Sequence, residues 1–297
     1  MIHTIDTHYQ GRERATAVYL VAGPAGPLLI ETGPGSTLPY VLTGLKQHGY
    51  EPADIQHVLV THIHLDHAGA AGWWARQGAQ IYVHERGAPH LIDPSKLINS
   101  ASRIYGDRMD ELWGETLPAP AEQVTVIYDG ERLKLNGVEI LVLETPGHAN
   151  HHHAYRIGDE CITGDSAGIH LPGSPFVDIP APPPEFHRER WLETVKKLQA
   201  QNFSRIHPTH FGAHDNVAER LSAFALLIDD MTEFIGDCLR AGYERDEIVA
   251  RLYDWVQERL TRGGADEAIR QLHEVANPFA MAVDGISRYW HKYGGLA

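Results

Sequence analysis

The chain has 297 residues, 43% of them apolar, enough for one large core or for a domain with an appendage. Its 25 Lys and Arg against 39 Asp and Glu leave a formal charge of −14, which opposes binding to a polyphosphate backbone, so no nucleic-acid partner is expected. Cys161 and Cys238 make no disulfide framework, no run of apolar residues is long enough to span a membrane, and no basic-then-apolar leader opens the chain; a cytoplasmic protein without membrane attachment is expected.

The elements open as β-structure. Ala17-Val18-Tyr19-Leu20-Val21 and Leu28-Leu29-Ile30 flank the turn-rich Gly23-Pro24-Ala25-Gly26-Pro27, which predicts a hairpin. Leu38 to His48 has helical spacing, Val58 to Val60 reads as a strand, Ala68 to Gln77 as a helix and Gln80 to Val83 as a strand. This alternation predicts layered α/β architecture. Trp73 and Trp74 are expected in helix packing rather than against substrate. From 86 to 120 the alternation stops, and Pro89, Pro94, Pro118 and Pro120 predict a helical or irregular insertion. Tyr105 and Trp113 within it are candidates to contact an apolar acyl or ring group, with core packing as the equal alternative.

Val138 to Leu143 and the segment ending at Cys161-Ile162-Thr163-Gly164 read as strands. The stretch from Leu171 to Pro184 is too rich in proline for either regular element and is expected as an ordered loop. Beyond residue 210 the spacing turns helical. Asp215 or Asn216 can cap a helix through Val217, Leu221, Phe224, Leu227, Ile228, Met231 and Ile235, and two more helices are predicted over Asp246 to Thr261 and Asp266 to Tyr289.

The chemistry concentrates in Thr61-His62-Ile63-His64-Leu65-Asp66-His67, three imidazoles and a carboxylate just after an apolar β-branched run. Residues two apart in an extended segment point the same way, so His62 and His64 can grip one ion, while Asp66 and His67 can reach a second. A metal-free cluster would instead need a hydrogen-bond partner for every ring nitrogen. Three later strand ends supply further candidates: His148 in Thr145-Pro146-Gly147-His148, Asp165 in Gly164-Asp165 as a bridging carboxylate, and His210 in Thr209-His210-Phe211-Gly212.

This order, H-x-H-x-D-H, then P-G-H, G-D and T-H-F-G, resembles the metallo-β-lactamase-fold hydrolase superfamily over roughly residues 15 to 215. The resemblance implies a four-layer αββα sandwich: a catalytic domain at 1–215, with a helical C-terminal extension, 216–297, packed on it. It places His62, His64 and His148 on a first metal, Asp66, His67 and His210 on a second, and Asp165 between them. It also implies two divalent ions, zinc foremost, although iron or manganese suits the same donors. A metal-bridging hydroxide would then attack a small ester, thioester or lactone, with Asp66 orienting it and carrying the proton.

Within the superfamily, His148-Ala149-Asn150-His151-His152 resembles the glyoxalase II branch, with His151 where glycine is usual, and Asn277-Pro278-Phe279 resembles a segment near the end of that enzyme. His152 matches a residue behind the metal shell, and His151 and His153 are expected to be structural or exposed. Glu31-Thr32-Gly33 stands where the family has Asp-Thr-Gly. Further substrate contacts are expected from His170 and Phe176 in the proline-rich loop and from Arg288 in the last helix, an exposed position being the plainer outcome for His170 and Arg288. The alternatives are a mononuclear iron enzyme resembling persulfide dioxygenases, a phosphodiesterase, or a metal-bound sensor or partner-binding module. A homodimer is the default expectation for assembly.

Overall fold

Strand β1, Ile2–Asp6, pairs antiparallel with β2, Ala17–Gly23, which turns through Pro24 and Ala25 into β3, Gly26–Ile30. The predicted hairpin is thus present, with Val21 opposite Leu28 and Gly23 opposite Gly26. From β3 to the sixth strand the chain makes crossovers instead of hairpins, so these strands are parallel. Helix α1, Leu38–Gln47, leads to β4, His57–Leu59. Two short helices, α2 at Leu65–Ala68 and α3 at Ala71–Arg76, lead to β5, Gln80–His84. The stretch expected as an insertion is helical: α4, Ala88–Ile92, α5, Ser95–Tyr105, and α6, Met109–Trp113, carry the chain to β6, Val124–Ile127. The resulting mixed sheet has the order β1-β2-β3-β4-β5-β6. Its core is Val18, Leu20, Leu29, Val58 and Ile81 against Val41 and Leu45 of α1 and Trp74 of α3. Each such aliphatic side chain contributes about 1.5–3 kcal/mol by burial.

An antiparallel meander follows: β7, Arg132–Leu135, β8, Val138–Glu144, β9, His153–Ile157, and β10, Glu160–Gly164. β9 begins within the histidine run, where sequence reading expected no strand. Its Tyr155 and Ala154 are wholly buried, and its first residue donates its amide to the Thr61 carbonyl at 2.7 Å.

The structure describes residues 1–294 of this computed structural model, and they form two compact units. The elements above lie in the first, made of Met1–Glu144 and His151–Gly164. The second takes in Thr145–Asn150 and the chain from Asp165 onward. It holds α7, Arg188–Gln199, β11, Arg205–Pro208, α8, Val217–Arg240, α9, Arg245–Arg262, α10, Glu267–Ala276, and α11, Phe279–Tyr293. Helix α8 packs on α7, where Phe224 meets Trp191, and on α11, where the indole of Trp290 donates to the Thr232 carbonyl at 2.8 Å.

One long helix over 266–289 is the expectation from spacing. The structure has two, α10 and α11, because Pro278 has no amide hydrogen to continue the ladder and keeps Asn277 out of the helical region, at φ −147° and ψ 89°. Asn277 uses the break, donating its side-chain amide to the Ile179 carbonyl at 3.0 Å. Among the described residues no helix is long and apolar enough to cross a membrane.

Candidate metal centre

Beyond β4 the chain runs through a bend at Thr61 to His64, whose backbone is extended, and then enters α2, so Asp66 and His67 occupy a helical first turn. His62 and His67 are buried, while His64 and Asp66 keep partial exposure. His62 Nε2 lies 2.9 Å from His64 Nδ1, and His67 Nε2 lies 3.5 Å from Asp66 Oδ2. All four expected donors of the first unit are therefore brought together.

Glu31 orients them. Burial is complete at this side chain, whose backbone adopts the left-handed region at φ 71°, uncommon for a residue with a Cβ. Its Oε1 accepts from Thr61 Oγ1 at 2.6 Å and from His67 Nδ1 at 2.8 Å, and its Oε2 accepts from the Thr61 amide at 3.0 Å. Because the Thr61 hydroxyl gives its hydrogen to Glu31, it accepts at 3.0 Å from His62 Nδ1. Both imidazoles thereby carry hydrogen on Nδ1, which leaves a lone pair on Nε2, the arrangement found where a carboxylate backs a metal-binding histidine. The neighbouring Thr32 hydroxyl donates to the His67 carbonyl at 2.9 Å and accepts from the Ala70 amide at 3.2 Å, pinning α2 to the loop. Glu31 thus holds Thr61 and His67 from behind through both of its carboxylate oxygens. Sequence reading missed its geometry, since nothing in Glu31-Thr32-Gly33 announces the left-handed turn that aims the side chain inward.

His152 stacks on His62 at 4.8 Å between ring centroids, and His151 meets His64 edge-on at 5.6 Å. His151, His152 and His153 are all buried; the first two pack against the cluster, while the His153 ring lies against His84 and Tyr155. Tyr105 and Trp113 meet edge-on at 5.1 Å, and Tyr9 stacks on Trp113 at 5.6 Å. Burial, with the Asp66 carboxylate second, pushes the Tyr105 hydroxyl up to about 12.

The second unit carries the other three expected donors. Asp165, just beyond β10, is buried and presents Oδ2 to His148 Nε2 at 3.4 Å and Oδ1 to His210 Nε2 at 3.7 Å. His148 Nδ1 donates to the Pro180 carbonyl at 2.6 Å; a carbonyl only accepts, so the Nε2 of this ring again holds the lone pair. Gly147 permits this turn: its φ is 136°, and a Cβ there would lie 2.4 Å from Trp191 Cβ. The Trp191 indole in turn donates to the Ser166 carbonyl at 2.9 Å, next to Asp165.

The expected substrate contacts of this unit have three different settings. Phe176 is half-buried against Trp255 of α9 and His273 of α10, and Arg288 is exposed on α11. His170 is buried, not exposed: Nε2 donates to the Ala167 carbonyl at 2.8 Å and Nδ1 accepts from Arg220 at 3.0 Å. Burial pushes its imidazole down to about 3, with the nearby Arg220 charge acting in the same sense.

A family model for the metallo-beta-lactamase superfamily matches residues 11–210, the stretch that holds every one of these donors. The chain belongs to the metallo-β-lactamase superfamily. Its mixed sheets flanked by helices, with further helices at the C-terminal end, are that superfamily's α/β fold. Among relatives, metallo-beta-lactamase fold-containing protein ST1585 of Sulfurisphaera tokodaii is 29% identical over 147 residues, 48% of this chain and 55% of that protein. Atrochrysone carboxyl ACP thioesterase dmxR1 of Cryptosporiopsis sp. is 23% identical over 257 residues, 84% of this chain and 62% of that protein. The chain thus spans less than two thirds of either relative's length. The solved metallo-beta-lactamase family protein TTHA1429 of Thermus thermophilus has a TM-score of 0.66 and 21% identity, covering 99% of this chain and 94% of that one. The superfamily implies divalent metal binding, and the donor set fits it: within the first unit, ligating atoms of Glu31, His62 and His67 lie within 4.8 Å of one another.

Proposed function

We propose that this chain is a metal-dependent hydrolase of a small ester, thioester or lactone. His62, His64 and His148 would hold one divalent ion, zinc foremost, and Asp66, His67 and His210 a second, with Asp165 between them. The observation that carries the reading is the Asp165 carboxylate, which turns one oxygen to Nε2 of His148, where that ring holds its lone pair, and the other to Nε2 of His210. Three imidazoles with Nδ1 held by Glu31, Thr61 or Pro180 are pre-oriented ligands rather than mobile surface groups. The thioesterase name of a relative spanning most of this chain supports the acyl-transfer class.

Bound there, two such ions supply Lewis-acid polarisation of an acyl oxygen and a water of lowered pKa. The residues do the rest. Asp66, partly exposed beside His67, is placed to accept a proton from the attacking water and return it to the leaving group. Tyr105 keeps its hydroxyl hydrogen near that carboxylate and can donate to a substrate oxygen. In this reading residues 1–215 carry the catalytic domain and 216–297 a helical extension, the partner is a small molecule, and the charge of −14 disfavours nucleic acid.

Elemental analysis of protein purified without added metal, beside turnover of a panel of thioesters, lactones, aryl esters and phosphodiesters, tests this. About two ions per chain with turnover of one acyl class is the expected result. One iron per chain, with oxygen uptake on a persulfide and no hydrolysis, would replace the hydrolase by an oxygenase.

A further inference from the structure

Two ligand-bearing segments of the second unit, the one after Asp165 and the one around His210, meet at a residue that binds no metal in the reading above. His170 sits five residues beyond Asp165 and is buried. Its Nε2–H donates to the carbonyl of Ala167, which lies in the turn closed by the Gly168 amide on the Asp165 carbonyl at 2.9 Å. Its own amide donates to the His210 carbonyl, and its own carbonyl accepts from the Phe211 amide at 3.4 Å. One residue therefore grips the Asp165 turn through its side chain and His210 through its backbone.

The ring is fixed in a single tautomer. The Arg220 guanidinium has only donors, so Nδ1 of His170 must accept from it, and the hydrogen must sit on Nε2, where the Ala167 carbonyl needs it. Arg220 is itself held by Asn216, whose side-chain oxygen accepts from Nε at 2.6 Å. His214, the other titratable ring against His170 at 5.2 Å, is turned to the Phe211 carbonyl at 3.0 Å. A histidine buried for packing alone would still need partners for its ring nitrogens, but not contacts to both ligand segments.

We propose that His170 is a positioning residue that sets the separation of the Asp165 carboxylate from the His210 imidazole and thereby the affinity for the ion bound by His210. This rests on the assignment of Asp165 and His210 as metal ligands. The fold-change that loss of a backing hydrogen bond brings to metal affinity is about 10- to 100-fold.

The test compares His170→Phe, which keeps a flat ring without its polar atoms, with His170→Gln, which keeps one donor and one acceptor. Zinc dissociation constants are measured by chelator competition, and the absorption spectrum of the cobalt-loaded protein reports ligand geometry. We expect His170→Phe to bind the first ion as the parent does and the second about 10- to 100-fold more weakly with an altered cobalt spectrum, and His170→Gln to restore both. Unchanged second-ion affinity in His170→Phe, when Asp165→Ala loses that ion, overturns the positioning role alone. Two ions bound normally by Asp165→Ala overturns the metal assignment and this inference with it. Should His170→Phe fail to fold, Arg220→Leu, altering a half-exposed side chain, carries the comparison: normal second-ion affinity there overturns the proposal equally.

Discussion

Glu31 Oε1 lies 2.8 Å from Nδ1 of His67, and this contact decides which nitrogen His67 turns outward. Glutamine at 31 would keep one acceptor oxygen and set an amide donor against either the Thr61 or the His67 donors. Glu31→Gln is expected to weaken metal binding by about 10- to 100-fold and to destabilise the fold by about 1–3 kcal/mol through an unsatisfied buried group. Chelator competition and urea unfolding measure the two effects. Parent-like values in both would remove Glu31 from the support of the site.

Asp165→Ala is expected to lose metal and hydrolysis together, since no other buried carboxylate in the second unit faces both His148 and His210 among the described residues. His151→Ala should leave both nearly intact, because His151 sets its ring beside those of His62 and His64 and is not one of the seven proposed donors. Full activity in Asp165→Ala would refute the two-ion reading.

The proposed metal donors were legible because most lie close in sequence: in His62-Ile63-His64-Leu65-Asp66-His67 the spacing of the candidate donors is the local backbone geometry. What stayed hidden depends on backbone turns or long-range pairing. The inward aim of Glu31 follows from its left-handed φ, which other contacts impose. Strand β9 was masked because a histidine run reads as ligands, whereas its pairing with β8 and β10 buries His153 and Tyr155. Helix α7 escaped notice because its charged sequence keeps only Trp191, Thr194, Val195 and Leu198 buried. The burial of His170 needed the Arg220 side chain, 50 residues away, which no local pattern reports.

Gly147→Ala should be costly for two independent reasons. Its φ of 136° is strained for any residue with a Cβ, and the new methyl would lie 2.4 Å from Trp191 Cβ and 2.5 Å from Trp191 Cα. Strain of about 1–3 kcal/mol adds to overpacking of about 1–3 kcal/mol. Relief by movement of the loop would displace His148 from Asp165, so metal affinity should fall along with the melting temperature. Ala149→Gly, one residue beyond His148 and without the clash, serves as the control for loop flexibility; equal losses in the two variants would count against the steric account.

Alkaline pH should unfold the protein earlier than its acidic surface alone would dictate. Tyr155 is fully buried, its hydroxyl donating to the Val60 carbonyl at 2.6 Å, and burial, with Glu31 second, raises its pKa well above the ordinary value. Tyr105 is pushed up to about 12. The unfolded chain releases these protons near pH ~10, while the folded chain keeps them. Over that interval the folded state binds more protons than the unfolded one, so stability present below pH ~10 declines as pH rises. Urea midpoints measured between pH ~8 and ~11 should fall steadily above pH ~10. Tyr155→Phe should be less stable at neutral pH by about 0.5–1.5 kcal/mol, the net value of the lost hydrogen bond, yet show a shallower alkaline decline. A parent midpoint that stays level across this range would contradict the burial of ionisable tyrosines as the source of alkaline sensitivity.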